Sequence, residues 1–181
     1  IVPLYLFPRG EDFTPYRMYE RYDEGRQLMT QHWPYGEMGM AMQNPYWIIN
    51  RNMFNNDRDR YMANAGLKYK VFDWMDISGR VRIDNANTRH TKKLYASTDA
   101  KFAQSKGYYG DRKDVDKQLY ADFLVNINKR FNDFDLTANV GASIQDVSMD
   151  YVGAEGQLSM IPNFFTLHNV DLGANNSRIK Q

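Results

Sequence analysis

The residues of this chain able to do chemistry are scattered rather than gathered. His32, His90 and His168 are its three histidines, and none lies at metal-ligand spacing from another, so they predict no zinc site. Asn55-Asn56-Asp57-Arg58-Asp59 is rich in oxygen donors, but it lacks the spaced ligands, central glycine and terminal glutamate of a calcium loop. It reads as a solvated loop top. Asp133 and Asp135 are paired carboxylates at a predicted turn with no pocket to serve, which gives a glycosidase dyad no support. No glycine-rich phosphate loop or nucleophile elbow occurs. Catalytic, cofactor-binding and metal-ligating residues are therefore all expected to be none, and the chain does not read as an enzyme.

Binding chemistry is better represented. Lys92, Lys93, Lys101, Lys106, Arg112 and Lys113 interleave with Tyr95, Phe102, Tyr108 and Tyr109, a pattern able to hold single-stranded nucleic acid. Asp99, Asp111, Asp114 and Asp116 neutralise most of that charge, and the formal net charge of +1 leaves no basic field, so no nucleic acid is expected. Met38, Met40 and Met42 alternate, a run able to pack adaptably against a partner or cargo, but simple packing in a loop core is the preferred reading. Aromatics make up 14% of the chain, enough for membrane-interface girdles or for loops that touch sugars and peptides.

The elements that must position these groups are strands. From Arg60 to Phe72, Tyr61, Ala63, Ala65, Leu67, Tyr69 and Val71 alternate with a set that includes Asn64, Lys68 and Lys70. After Asp73-Trp74, Met75, Ile77, Gly79, Val81 and Ile83 alternate with Asp76, Ser78, Arg80, Arg82 and Asp84. Leu119 to Ile127 and Leu136 to Ile144 repeat the pattern around a turn at Arg130 to Asp133. Period two places successive side chains on opposite faces. Each run is about ten residues, the length of a tilted strand crossing a bilayer. One apolar and one polar face suits a wall between lipid and a wet lumen, although a soluble sheet with one solvated face alternates in the same way.

The connections favour the membrane. Two turns are short, whereas Pro8 to Asp59, Asn85 to Asp116, and Asp146 onward read as long loops. Phe72, Trp74, Phe131 and Phe134 cluster at the short-turn end, as an interface girdle does. Ile1 to Phe7 is a candidate fifth strand, with Pro3 arguing against a central position. The 181 residues contain no cysteine, so no disulfide or thiol chemistry is expected. The start at Ile1, with no initiator methionine or signal-peptide pattern, reads as a mature product, a fragment or an incompletely resolved chain. A membrane barrel needs about eight strands, so four or five predict a slice of a larger one.

Loop motifs carry a resemblance. Gln43-Asn44-Pro45-Tyr46-Trp47-Ile48-Ile49-Asn50-Arg51, Asp59 to Ala65, Gly79 to Asn85 and Tyr95-Ala96-Ser97-Thr98-Asp99 resemble the mid-barrel region of SusC/RagA-like TonB-dependent transporters. Ser105 to Tyr109, Gly141 to Ile144, Ile161 to Phe165, Phe7 to Gly10 and Trp33 to Gly36 extend it in order over nearly the whole chain. The resemblance implies one partial domain, residues 1–181, from an all-β, antiparallel transmembrane barrel of roughly 22 strands with an internal plug. No plug or TonB-contacting segment is recognisable in the sequence. The implied location is the outer membrane of a Gram-negative bacterium. The implied partners are membrane lipid, a SusD-like surface lipoprotein acting as lid, TonB through other parts of the parent protein, and an oligosaccharide or peptide cargo. Trp33, Tyr35, Tyr108 and Tyr109 are the expected cargo or lid contacts, because flat rings stack on sugars and peptide bonds. The alternative is a soluble β-rich glycan-binding module.

Overall fold

The computed structural model describes residues 2–36 and 43–171. Met38, Met40 and Met42 lie outside them. In order, the elements are α1 (Val2–Leu6), a 3-10 turn (Thr14–Arg17), β1 (Glu20–Asp23), β2 (Leu28–Gln31), α2 (Pro45–Arg51), β3 (Asn52–Phe72), β4 (Met75–Tyr95), β5 (Gly107–Phe131), β6 (Phe134–Gln157) and a 3-10 turn (Leu167–Asn169). The chain is predominantly β. β1 and β2 form a small antiparallel hairpin, and β3-β4-β5-β6 form a four-stranded antiparallel sheet in sequential order.

Three expectations need correction. Ile1 to Phe7 is not a strand: Val2–Leu6 is a helical turn, and Pro3 sits in its first turn, where its missing N–H is no loss. The segment Asn55 to Asp59 is not a loop top but part of β3. The long loops shrink as well: β6 runs on to Gln157, Pro8 to Asp59 holds β1, β2, α2 and the start of β3, and Asn85 to Asp116 is mostly strand, because β4 runs on to Tyr95 and β5 starts at Gly107 in two further extensions. These extensions are polar on both faces, so period two vanishes from the sequence. The ladder continues there with polar cross-strand pairs: His90 Nδ1 lies 2.7 Å from Asn56 Oδ1, and Arg89 binds Asp111 at 2.7 Å.

The chain divides into two compact units. Among the described residues, one comprises 2–36, 43–57, 89–113 and 152–171, the other 58–88 and 114–151. The first holds most of the buried residues. Asn44 caps α2 by accepting from Tyr46 N at 2.9 Å, with Pro45 behind it at the first helical position. The Asn44 amide also donates to the carbonyls of Tyr16 and His32. Trp47, early in α2, is fully buried and donates from Nε1 to Thr98 Oγ1 at 3.1 Å. Gly107 has φ 105°, and a Cβ there would lie 2.7 Å from the Leu94 carbonyl oxygen, so only glycine fits at the start of β5.

In the second unit the sheet itself is the structure. Cross-strand contacts fix its register. A Cβ on Gly66 would lie 3.3 Å from Arg80 Cγ. Asn128 N donates to the Trp74 carbonyl at 2.7 Å, and Asp76 faces Asn126, Arg80 faces Asp122 in the same register. A Cβ on Gly141 would meet Leu124 Cδ1 at 2.9 Å, and Arg130 binds Asp135 across the two-residue turn Asn132-Asp133. At the other turn Phe72 and Trp74 stack at 5.2 Å with planes 8° apart. The Lys129 ammonium lies 4.6 Å from the Trp74 ring centre and 5.0 Å from that of Phe131.

Candidate functional site

In the second unit the alternation separates two faces. Lys68 binds Asp76 at 3.1 Å, and Asp76 accepts from Asn126 at 2.7 Å. Arg80 Nε donates to both Asp122 oxygens at 3.1 and 3.0 Å, and Nη2 lies 2.8 Å from Oδ2. These side chains meet only if they project from one face, so alternation puts Leu67, Tyr69, Ile77, Val81, Phe123 and Val125 on the other. Of that apolar set, Leu67 is 77% exposed and Tyr69 66%.

The polar face carries a shallow depression of about 460 Å³ whose lining includes Ser78, Arg80, Tyr120, Asp122, Leu124 and Ser143. Gly141 opens its floor on β6, where a side chain would strike Leu124. Hydroxyls, a guanidinium–carboxylate pair and a phenol ring in one hollow suit a hydroxylated ligand held by hydrogen bonds and ring contact. Sequence reasoning had not singled out this hollow. Its signal was present in the charged alternate positions of β4 and β5, but the cross-strand register that joins them is a long-range property.

The four expected contact residues lie in the first unit and fall into two groups. Trp33, only 5% exposed, packs against Phe7, Phe13, Tyr16 and Tyr35 with ring centres 5.4 to 6.1 Å apart. Tyr35 keeps part of its surface, and burial, then the charge of Glu11, raises its phenol pKa. Tyr108 and Tyr109, adjacent on β5, point to opposite faces. Tyr108 is half-buried, hydrogen-bonded to Glu155, and lies under the Lys92 ammonium at 4.4 Å. Its pKa is raised by burial first and the Glu155 carboxylate second. Tyr109, 7% exposed, belongs to the small core of Leu158, Val170 and Phe165. Trp33 and Tyr109 therefore give most of their ring surface to packing, while Tyr35 and Tyr108 retain some.

His32 and His90 bond Met18 O and Asn56 Oδ1 in separate places, and no cluster of metal-ligating side chains occurs among the described residues. No described helix is long and apolar enough to cross a membrane. No family model and no curated protein matches the chain.

Proposed function

We propose that this chain is part of the wall of an outer-membrane β-barrel transporter of the SusC/RagA-like, TonB-dependent kind. The observation that carries the reading is the outline of the apolar face. Its run ends at Tyr61 on β3, Ile83 on β4, Leu119 on β5 and Ile144 on β6. In the register fixed by Gly66–Arg80, Trp74–Asn128 and Leu124–Gly141, Tyr61 faces Asn85, Ile83 faces Leu119, and Leu119 faces Asp146. The edge thus drops two residues to β4, none to β5 and two to β6.

At about 3.3 Å per residue and about 4.8 Å between strands, that drop corresponds to strands tilted by about 40° to the normal of the band. Membrane barrel strands tilt by roughly 35–45°. From Tyr61 to Val71 the strand rises about 33 Å, which projects at this tilt to about 25 Å, the height of the lipid-facing band of such barrels. The runs on β4, β5 and β6 are one pair shorter, and Trp74, Phe131 and Phe134 lie near their lower ends. A sheet solvated on one face has no reason to trim its apolar residues along a tilted line.

On this reading the apolar face meets lipid and the polar face meets the lumen. β3 and β6 pair with further strands of the parent polypeptide, because an open edge in hydrocarbon leaves backbone groups unsatisfied. The cargo is an oligosaccharide or peptide, admitted under a SusD-like lipoprotein lid and drawn in by TonB. Tyr35 and Tyr108 are the rings with surface to offer cargo or lid.

These 181 residues contain no cysteine, so single cysteines placed in them report cleanly once any cysteine elsewhere in the parent polypeptide has been replaced. In intact cells carrying the complete polypeptide, an impermeant maleimide should label Ala100→Cys but not Asp133→Cys, and permeabilisation should reveal the second. Equal labelling of both before permeabilisation contradicts the orientation. Uptake of a labelled oligosaccharide that survives collapse of the inner-membrane proton gradient contradicts TonB-driven transport.

A further inference from the structure

The polar face is electrically divided. Its β3–β4 half projects Arg58, Arg60, Lys68, Lys70, Arg80 and Arg82 against Asp76 and Asp84, whereas its β5–β6 half projects Asp114, Asp116, Asp122 and Asp135 against Arg130. At the upper end of the basic half, two guanidiniums share one carboxylate. Arg60 takes Asp84 with both prongs of its fork, Nε to Oδ1 at 2.8 Å and Nη2 to Oδ2 at 2.5 Å. Arg82 reaches the same oxygen only at 3.8 Å and otherwise turns Nη2 to the Met62 sulfur at 3.7 Å, a poor acceptor. Asp84 is almost covered, with its side chain 9% exposed, while that of Arg82 is 58% exposed. One carboxylate between Arg60 and Arg82 leaves an excess of one positive charge here, with unused donors on Arg82.

We infer that Arg82 binds the acid group of an acidic oligosaccharide, a carboxylate or sulfate ester, whose ring hydroxyls rest in the adjoining hollow of Ser78, Tyr120 and Ser143. Guanidinium forks match planar or tetrahedral oxyanions bidentately, which a single ammonium cannot do. Arg80, which lines the hollow, and Arg82 are same-face neighbours on β4, about 6.6 Å apart along the strand. That spacing is within one sugar residue of bridging acid group and ring. Phosphates of the surrounding lipid leaflet are not the ligand, because these arginines project from the face opposite the apolar band. The inference rests on the transporter reading for calling the ligand cargo, but the arginine geometry is independent of it.

The test uses the complete polypeptide in detergent, titrated calorimetrically with tetragalacturonate, a sulfated tetrasaccharide, neutral maltotetraose and tetraglutamate. At least one acidic saccharide should bind, more weakly as salt rises, and maltotetraose at least tenfold more weakly. R82Q should lose tenfold or more in affinity for the acidic saccharide. D84N should gain affinity, an outcome that mere structural damage does not produce. Arg82 has no close ion pair to lose, so R82Q should keep the wild-type circular dichroism. Absence of binding by both acidic saccharides, equal binding of maltotetraose, preference for tetraglutamate, or an unchanged R82Q each overturns the inference. A Val125→Cys spin label found in water, beside intact acid binding, would remove the membrane reading alone.

Discussion

Arg80 on β4 and Asp122 on β5 are joined by two hydrogen bonds from Nε and a 2.8 Å contact from Nη2, across the junction of the two hairpins. The pair is the clearest sign that the hairpins form one sheet with a common polar face. The Arg80 side chain is 71% exposed and that of Asp122 is 11% exposed. Solvent therefore screens the attraction. A double-mutant cycle of R80A and D122A should give a small favourable coupling that shrinks in high salt. A coupling near zero at low salt would show that the pair does not hold the junction.

Gly107 should be the least replaceable glycine. Its φ is 105°, and the Leu94 oxygen lies 2.7 Å from where a Cβ would stand. Gly107→Ala should therefore cost on the order of 1–3 kcal/mol in chemical denaturation. Gly10, with nothing within 4 Å of the same position, is the control, and Gly10→Ala should be nearly silent. Equal effects would mean that β5 does not start as described.

Trp47 is the largest fully buried side chain, and its ring N–H binds Thr98. Trp47→Ala should destabilise the first unit by about 3–5 kcal/mol, because a cavity remains and Thr98 Oγ1 keeps only the hydrogen bond it donates to Asn52 Oδ1. Trp47→Phe should cost less. A Trp47→Ala protein as stable as the parent would refute the packing of α2 on the 96–99 segment.

The first unit should lose stability at both ends of the pH scale. Hydrogen bonds from Arg89 hold the Asp111 carboxyl below its ordinary value. That stabilisation is present above the unfolded carboxylate pKa of about 3.9 and disappears as pH falls through the lower folded value. Asp111→Asn should flatten the acid limb. Tyr108 behaves oppositely: burial and Glu155 raise its pKa, so its contribution is full below about pH 10 and disappears as pH rises through the folded value. Tyrosinate absorbance should show late-titrating phenols, one of which Tyr108→Phe removes. A Tyr108→Phe protein with an unchanged titration curve would contradict this.

The sequence displayed the half of each strand that lies in the apolar band, where Leu67, Val81, Phe123 and Val140 recur at every second position. It hid the other half. From Asn85 to Lys93 both faces carry polar groups, and only pairs such as Arg89–Asp111, which join distant positions, reveal a continuing ladder. Val2–Leu6 was ambiguous because a short apolar run suits helix and strand alike, and Pro3 suits a first turn as readily as an edge. Asn44-Pro45 carried a readable helix start. The aromatic candidates were legible as ring types, but the burial of Trp33 and Tyr109 comes from neighbours such as Phe7, Phe13 and Phe165, which local pattern does not connect.

The most direct measurement is the environment of two adjacent β5 residues in the membrane-inserted parent polypeptide. Nitroxide labels at Val125→Cys and Asn126→Cys should respond in opposite ways. The Val125 label should be relaxed by oxygen, which dissolves in lipid, and little by a water-soluble nickel chelate. The Asn126 label should show the reverse. Continued at 121, 123 and 127, the oxygen response should alternate with period two and fade above Leu119. Labels at Val125 and Asn126 with the same accessibility to the nickel chelate would contradict a wall between lipid and lumen.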